Sequence, residues 1–196
     1  MRKLKNLLAI GILACLPLTA LAAEIPGGFT VNDVRVLGVT HPASEADIRR
    51  IYGEPTRVVE FALPTVLPGW PQTNNHSRGL FYQGTGFIVC KDVDGNFPNG
   101  ANDELQYILI LDRSTLTPRG IGVGDSIDTV FEKYGKTPNV GGMENEEEKT
   151  LGISYDQSYI YSDASFDNNH SVGAVTILVK KKKVVAIYIS DLTNRW

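Results

Sequence analysis

Apolar positions change spacing along this chain, and the changes mark its elements. In residues 126–135, Ile127, Val130, Phe131 and Tyr134 recur at i, i+3, i+4 and i+7, the spacing of one helical face. Asp125 and Ser126 offer side-chain oxygens to the N–H groups that a first helical turn leaves unpaired, and Gly135 is the matching stop. Residues 44–53 carry the same signals. Ser44, Ile48, Tyr52 and Gly53 coincide with Ser126, Val130, Tyr134 and Gly135. Pro55 and Pro138 follow within three residues, where a helix must not continue. The two copies lie about 82 residues apart, a spacing that reads as an internal repeat.

Downstream of each helix the period becomes extended. Residues 57–61, 79–83, 86–91 and 105–112 in the first copy, and 152–156, 158–162, 174–181 and 184–191 in the second, are short runs rich in Val, Ile, Phe and Tyr. Pro, Gly and Asn separate them. Each copy therefore predicts one helical segment followed by an antiparallel meander, with the helix on one sheet face. The fold class is α+β, as two tandem repeats over residues 24–114 and 115–196. Whether the two meanders join in one sheet stays open.

The run 119–135, with Gly124, Asp125 and Ser126 at its start and Tyr134 and Gly135 before a proline and a meander, resembles the tandem helix-plus-meander repeats of the β-lactamase-inhibitor-protein-like superfamily. That superfamily includes the small SmpA/OmlA lipoproteins of outer-membrane assembly, and the run also resembles repeats of exported bacterial proteins. The resemblance implies two repeats side by side and a non-catalytic role in binding other proteins.

Residues 1–23 set the expected address. A basic end (Arg2, Lys3, Lys5), an apolar stretch from Leu7 to Leu18 and small residues at Ala20 and Ala22 read as a secretory signal peptide, too short in its apolar part to span a membrane comfortably. Periplasm or cell exterior follows as the expected location. A second reading takes Ile12, Leu13, Ala14 and Cys15 as a lipoprotein box, with a lipid anchor on Cys15. Removing the leader takes away three positive charges and no negative ones from a chain whose formal net charge is −3. An acidic mature chain argues against a nucleic-acid or other polyanion partner. It would keep one cysteine, Cys90, and so no internal disulfide. Roughly 170 residues suffice for a core without such staples.

Candidate chemistry is sparse. Asp92, Asp94 and Asn96 stand at positions 1, 3 and 5 of a calcium-loop pattern, with Asp103 at position 12. Phe97 occupies position 6, where the sharp turn wants glycine, and strands flank the segment, so a polar hairpin loop explains the same residues. Residues 63–78 form a long connection carrying Trp70 between Gly69 and Pro71, with His76 nearby. Such a tryptophan is a contact anchor or a cover folded over a sheet edge. Tyr155, Tyr159, Tyr161 and Tyr188 on neighbouring strands make either a partner surface or packing against the second helix.

Cys90 with His41 or His76 could form a thiol–imidazole pair, but Cys90 sits in a strand pattern with no nucleophile turn around it. His170 reads as a loop residue. Lys180, Lys181, Lys182 and Lys183 mark a strand turn, either an anion contact or an exposed hairpin, and the acidic run 144–148 reads as a solvated loop. The expectation is an exported, non-enzymatic protein without a cofactor that binds an unidentified protein partner through Trp70, Tyr155, Tyr159 and Tyr161. The alternative is a calcium module or hydrolase using Asp92, Asp94, Asn96 and Asp103, or Cys90.

Overall fold

The computed structural model describes residues 25–39, 43–62, 76–91, 104–141, 146–162 and 173–191. They form an α+β structure around one seven-stranded antiparallel sheet. The strands are β1 (Arg57–Ala62), β2 (His76–Tyr82), β3 (Thr85–Lys91), β4 (Glu104–Ile110), β5 (Gln157–Ser162), β6 (Gly173–Lys180) and β7 (Lys183–Asp191). Their order in the sheet is β1-β2-β3-β4-β7-β6-β5. The last strands of the two meanders pair at the centre, with Ile108 opposite Ile189, Leu109 opposite Tyr188 and Ile110 opposite Ile187. The meanders thus share one sheet.

Helix α1 (Glu45–Tyr52) opens on a capping box. The Ser44 hydroxyl accepts from the Asp47 N–H at 3.1 Å, and the Asp47 carboxylate accepts from the Ser44 N–H at 3.1 Å. Helix α2 (Ile127–Tyr134) opens on Ser126, which accepts from the Thr129 N–H at 3.1 Å. Asp125 instead accepts from the Gly122 N–H at 2.8 Å and pairs with Arg113. The helices end at Gly53 (φ 76°) and Gly135 (φ 83°), where a side chain would strain the left-handed backbone.

Both helices lie on the sheet's first face. Ile48 of α1 and Ile127, Val130 and Tyr134 of α2 pack with Leu80, Phe87, Ile108, Ile110, Val175, Ile177, Ile187 and Ile189 in the larger core cluster. The N-terminal segment joins them through Val34, Val36 and Val39. Arg119 ties it down: its guanidinium reaches Asp33, donates to the backbone oxygens of Pro26 (2.7 Å), Gly28 and Lys133 (3.0 Å), and lies 5.1 Å from the centre of the Tyr134 ring. Asp33 is 4 % exposed. Burial pushes its carboxyl up, but the bonds from Arg119 and from the Thr30 N–H outweigh that and hold it below the ordinary value.

Two expectations need correction. Residues 152–156 are not a strand, and the acidic run does not stay a solvated loop. Residues Glu146–Leu151 form a short helix, α3, and Glu148 within it is only 5 % exposed. The chain leaves α3 through Gly152 at φ 71°, with the Gly152 N–H donating to the Lys149 oxygen and the Ile153 N–H to the Glu148 oxygen. Ile153 and Tyr155 turn toward the sheet while Ser154 and Asp156 face out, so the alternation is real, and the chain joins the ladder only as it reaches β5, where the Asp156 N–H donates to the Val179 oxygen at 2.9 Å. At the outer edge of β5 the Val140 N–H instead bonds the Ser158 oxygen at 3.0 Å. Among the described residues no helix is long and apolar enough to cross a membrane.

Candidate binding pocket on the second sheet face

Because strand side chains alternate, the same strands build a second apolar face. Phe61, Phe81, Ile88, Leu109, Leu178, Ala186 and Tyr188 form its cluster, with Val59, Leu111, Leu151, Ile153, Tyr155 and Val185 packed against it. Among the described residues its helical cover is the six-residue α3.

One row of cross-strand neighbours organises this face. Arg57 stands opposite Phe81, Phe81 opposite Gly86, Gly86 opposite Leu109 and Leu109 opposite Tyr188. Glycine is required here by the Phe81 ring. A Cβ at Gly86 would lie 2.7 Å from Phe81 Cε1, and one at Gly79 would lie 2.5 Å from Phe81 Cε2. The ring lies over both strands in the space the glycines leave, and the Arg57 guanidinium sits 4.8 Å from its centre.

A β-bulge shapes the neighbouring strand. Leu178 pairs with Ala186 but Val179 pairs with Val184, so Val185 is the extra residue and packs on the second face with Ala186. The result is a pocket of about 360 Å³ lined by Arg57, Leu111, Leu151, Gly152, Ile153, Ser154, Lys180 and Val185. Leu111, Leu151, Ile153 and Val185 are apolar walls. Lys180 Nζ donates to Ser154 Oγ at 2.7 Å. Among the described residues no carboxylate pairs with Arg57 or Lys180.

Beyond Lys180 the chain makes a two-residue turn through Lys181 and Lys182, at φ 49° and 63°, the left-handed pair of a type I′ hairpin. The tip is docked on α2. The Ile127 N–H donates to the Lys182 oxygen at 3.0 Å, and the Val184 N–H to the Asp125 oxygen at 2.9 Å. The Lys181 N–H bonds Asp156 Oδ2 at 3.1 Å.

Of the tyrosines singled out by sequence, two lie on the other face. Tyr161 is 1 % exposed in the first-face core, its hydroxyl donating to the Gly135 oxygen at 3.1 Å and its ring 4.8 Å from Tyr134. Tyr159 is also buried there, edge-on to Phe131 at 5.3 Å. Packing against the second helix, the alternative left open by the sequence, is what these two rings do. Burial raises both phenols, most strongly Tyr161, and pushes Tyr134 up to about 12. Tyr155 is half-buried on the second face.

Cys90 is buried on β3 opposite Ser77 of β2, whose hydroxyl is also buried and has no hydrogen-bond partner among the described residues. Trp70, His41, His170, Asp92, Asp94, Asn96 and Asp103 lie outside the described residues, as does the side chain of His76. Among the described residues no group of three His, Cys, Asp or Glu side chains could hold a metal ion. Lys180 belongs to the four-lysine run read as an anion contact or an exposed hairpin, whereas Arg57 had no motif to reveal it. The available signal was weaker: Arg57, Val59 and Phe61 share one strand parity, and two glycines flank Phe81.

Comparison with protein-family models, with curated proteins and with solved structures finds no match. The site therefore defines the class on its own terms: an α+β protein whose sheet carries one helix-roofed face and one face with an apolar, cation-rimmed pocket.

Proposed function

We propose that this chain is an exported, non-enzymatic protein of two helix-plus-meander repeats that binds another protein through the second sheet face. The observation that carries the reading is exposure on that face. Tyr107, edge-on to Tyr188 at 6.0 Å, is 38 % exposed, and Ile160, opposite in parity to the buried Tyr159 and Tyr161, is 44 % exposed. Large apolar groups left accessible on a sheet face are characteristic of contact surfaces. Tyr155 belongs to the same face, and Trp70 is retained as a further contact.

Support for the repeat comes from more than the matched Ser caps and Gly stops. In β4 the register against β3 shifts so that Gln106 is the extra residue, as Val185 is in β7. Each bulge stands three residues before a member of the central Leu109–Tyr188 pair. The leader pattern of residues 1–23 supports export to the periplasm or the cell exterior.

A photo-crosslinking residue placed at Tyr107 or Ile160 in cells tests the surface. The expected outcome is one discrete adduct of the same mass from both positions and none from Ile51, exposed on α1 away from this face. No adduct from 107 and 160, or the same adduct from 51, overturns the reading.

A further inference from the structure

We propose that the pocket beside α3 binds a single-chain aliphatic carboxylate, its head between Arg57 and Lys180 and its tail along Leu111, Leu151, Ile153 and Val185. The site is distinct from a protein-contact surface and holds whether or not the exposed rings of the same face engage a partner. Its volume of about 360 Å³ falls in the lower part of the small-molecule range and leaves room for one chain. Its polarity is divided: the apolar side chains come from β4's end, α3 and β7, whereas the polar lining is Arg57, Ser154 and Lys180.

Charge selects the head group. A guanidinium stacked on Phe81 keeps its N–H edges available for a carboxylate, and Lys180 spends one contact on Ser154. Lys181, Lys182 and Lys183 add positive charge at the adjoining tip, in a chain that is acidic overall. The nearby acids have other partners: Asp125 pairs with Arg113, and Asp156 accepts from the Lys181 N–H. Glu148 of α3 is buried, and among the described residues no carboxylate pairs with Arg57 or Lys180, so an anion is favoured between them. The tail selects by length, since each buried methylene multiplies affinity by about three to four.

The test is calorimetric titration of the full chain with octanoate, octanol and butanoate. Octanoate is expected to bind, more weakly as salt is added. Octanol and butanoate should each bind at least about tenfold more weakly, the first for want of charge and the second for want of tail. Arg57→Gln and Lys180→Gln should each lower octanoate affinity at least about fivefold, Lys180→Gln at an unchanged melting temperature. If Arg57→Gln melts early, Lys180→Gln decides alone, because Lys180 is exposed and its ammonium bonds the exposed Ser154. Arg50→Gln, a mostly exposed cation on α1, should change nothing. Equal binding of octanol, indifference to both substitutions, or no heat with millimolar octanoate overturns the proposal. So does tighter binding of a short peptide ending in leucine, which would make the ligand a chain terminus.

Discussion

The two faces of one sheet are built from the same strands, yet they use their polar groups in opposite ways. On the first face the buried charge of Asp33 is held in a closed network around Arg119. Arg119 spends its donors on Asp33 and three backbone oxygens, and Tyr161 closes onto Gly135. On the second face Arg57 and Lys180 stand beside apolar walls with no carboxylate partner among the described residues, and Tyr107 and Ile160 stay accessible. A face that satisfies its own polar groups stabilises the fold. One that leaves them unsatisfied but reachable is equipped for a ligand.

The largest expected effect comes from breaking the satisfied face. Arg119→Ala should lower the unfolding free energy by about 3–5 kcal/mol in urea titration, because it strands a buried carboxylate. Arg57→Gln, which loses one stacked cation, should cost about 1 kcal/mol or less. Equal losses would end the distinction between the faces. The pH dependence sharpens it. Asp33 is held below its ordinary 3.8 when folded, so its stabilising contribution is complete above that value and is lost as pH falls through the depressed folded one. The stability gap between the native protein and Asp33→Asn should therefore stay constant from about pH 7 to 5 and shrink below about pH 4. A gap that widens on acidification would show that Arg119 does not hold the carboxylate ionised.

The same contrast explains what could be read from the chain beforehand. The first face was legible because its signals are local: Ser44 and Gly53, Ser126 and Gly135, and the short apolar runs of β3, β4, β6 and β7 each specify their element without reference to a distant residue. Helix α3 was not, since Glu146, Glu147 and Glu148 favour solvent and a helix this short is sustained by what Leu151 packs against. The pocket was hidden for a stronger reason. Arg57, Phe81, Gly86, Leu109 and Tyr188 become a row only through the register of four strand pairs, and Val185 points inward only because of a bulge. Such facts are properties of pairing.

Gly86→Ala tests that row at intermediate cost. The new methyl would meet Phe81 carbons at 2.7 and 2.8 Å and a Leu109 methyl carbon at 3.3 Å, so the ring must move and carry the Arg57 stack with it. A loss of about 1–3 kcal/mol in unfolding free energy is expected, as for other overpacked sites. Chemical shifts should change at Phe81 and Leu109 and stay still at Tyr134 and Tyr161, across the sheet. Perturbation of the first-face tyrosines would mean that the two clusters respond as one core and that the contrast between them has no mechanical basis.

The smallest effect is the most informative about the tip beside the pocket. Lys181 and Lys182 both hold left-handed backbone, which costs a side-chain-bearing residue about 1–2 kcal/mol and is ordinarily given to Gly or Asn. Glycine relieves that cost but adds freedom to the unfolded chain, so Lys182→Gly should raise stability by a net of about 0.5–1 kcal/mol. The Lys182 oxygen that accepts from the Ile127 N–H belongs to the backbone and survives the change. If stability rises while octanoate affinity falls slightly, the lysine is kept at a structural cost for the charge it brings to the second face. If stability falls instead, the lysine side chain holds the hairpin on α2, and the tip belongs with the satisfied face.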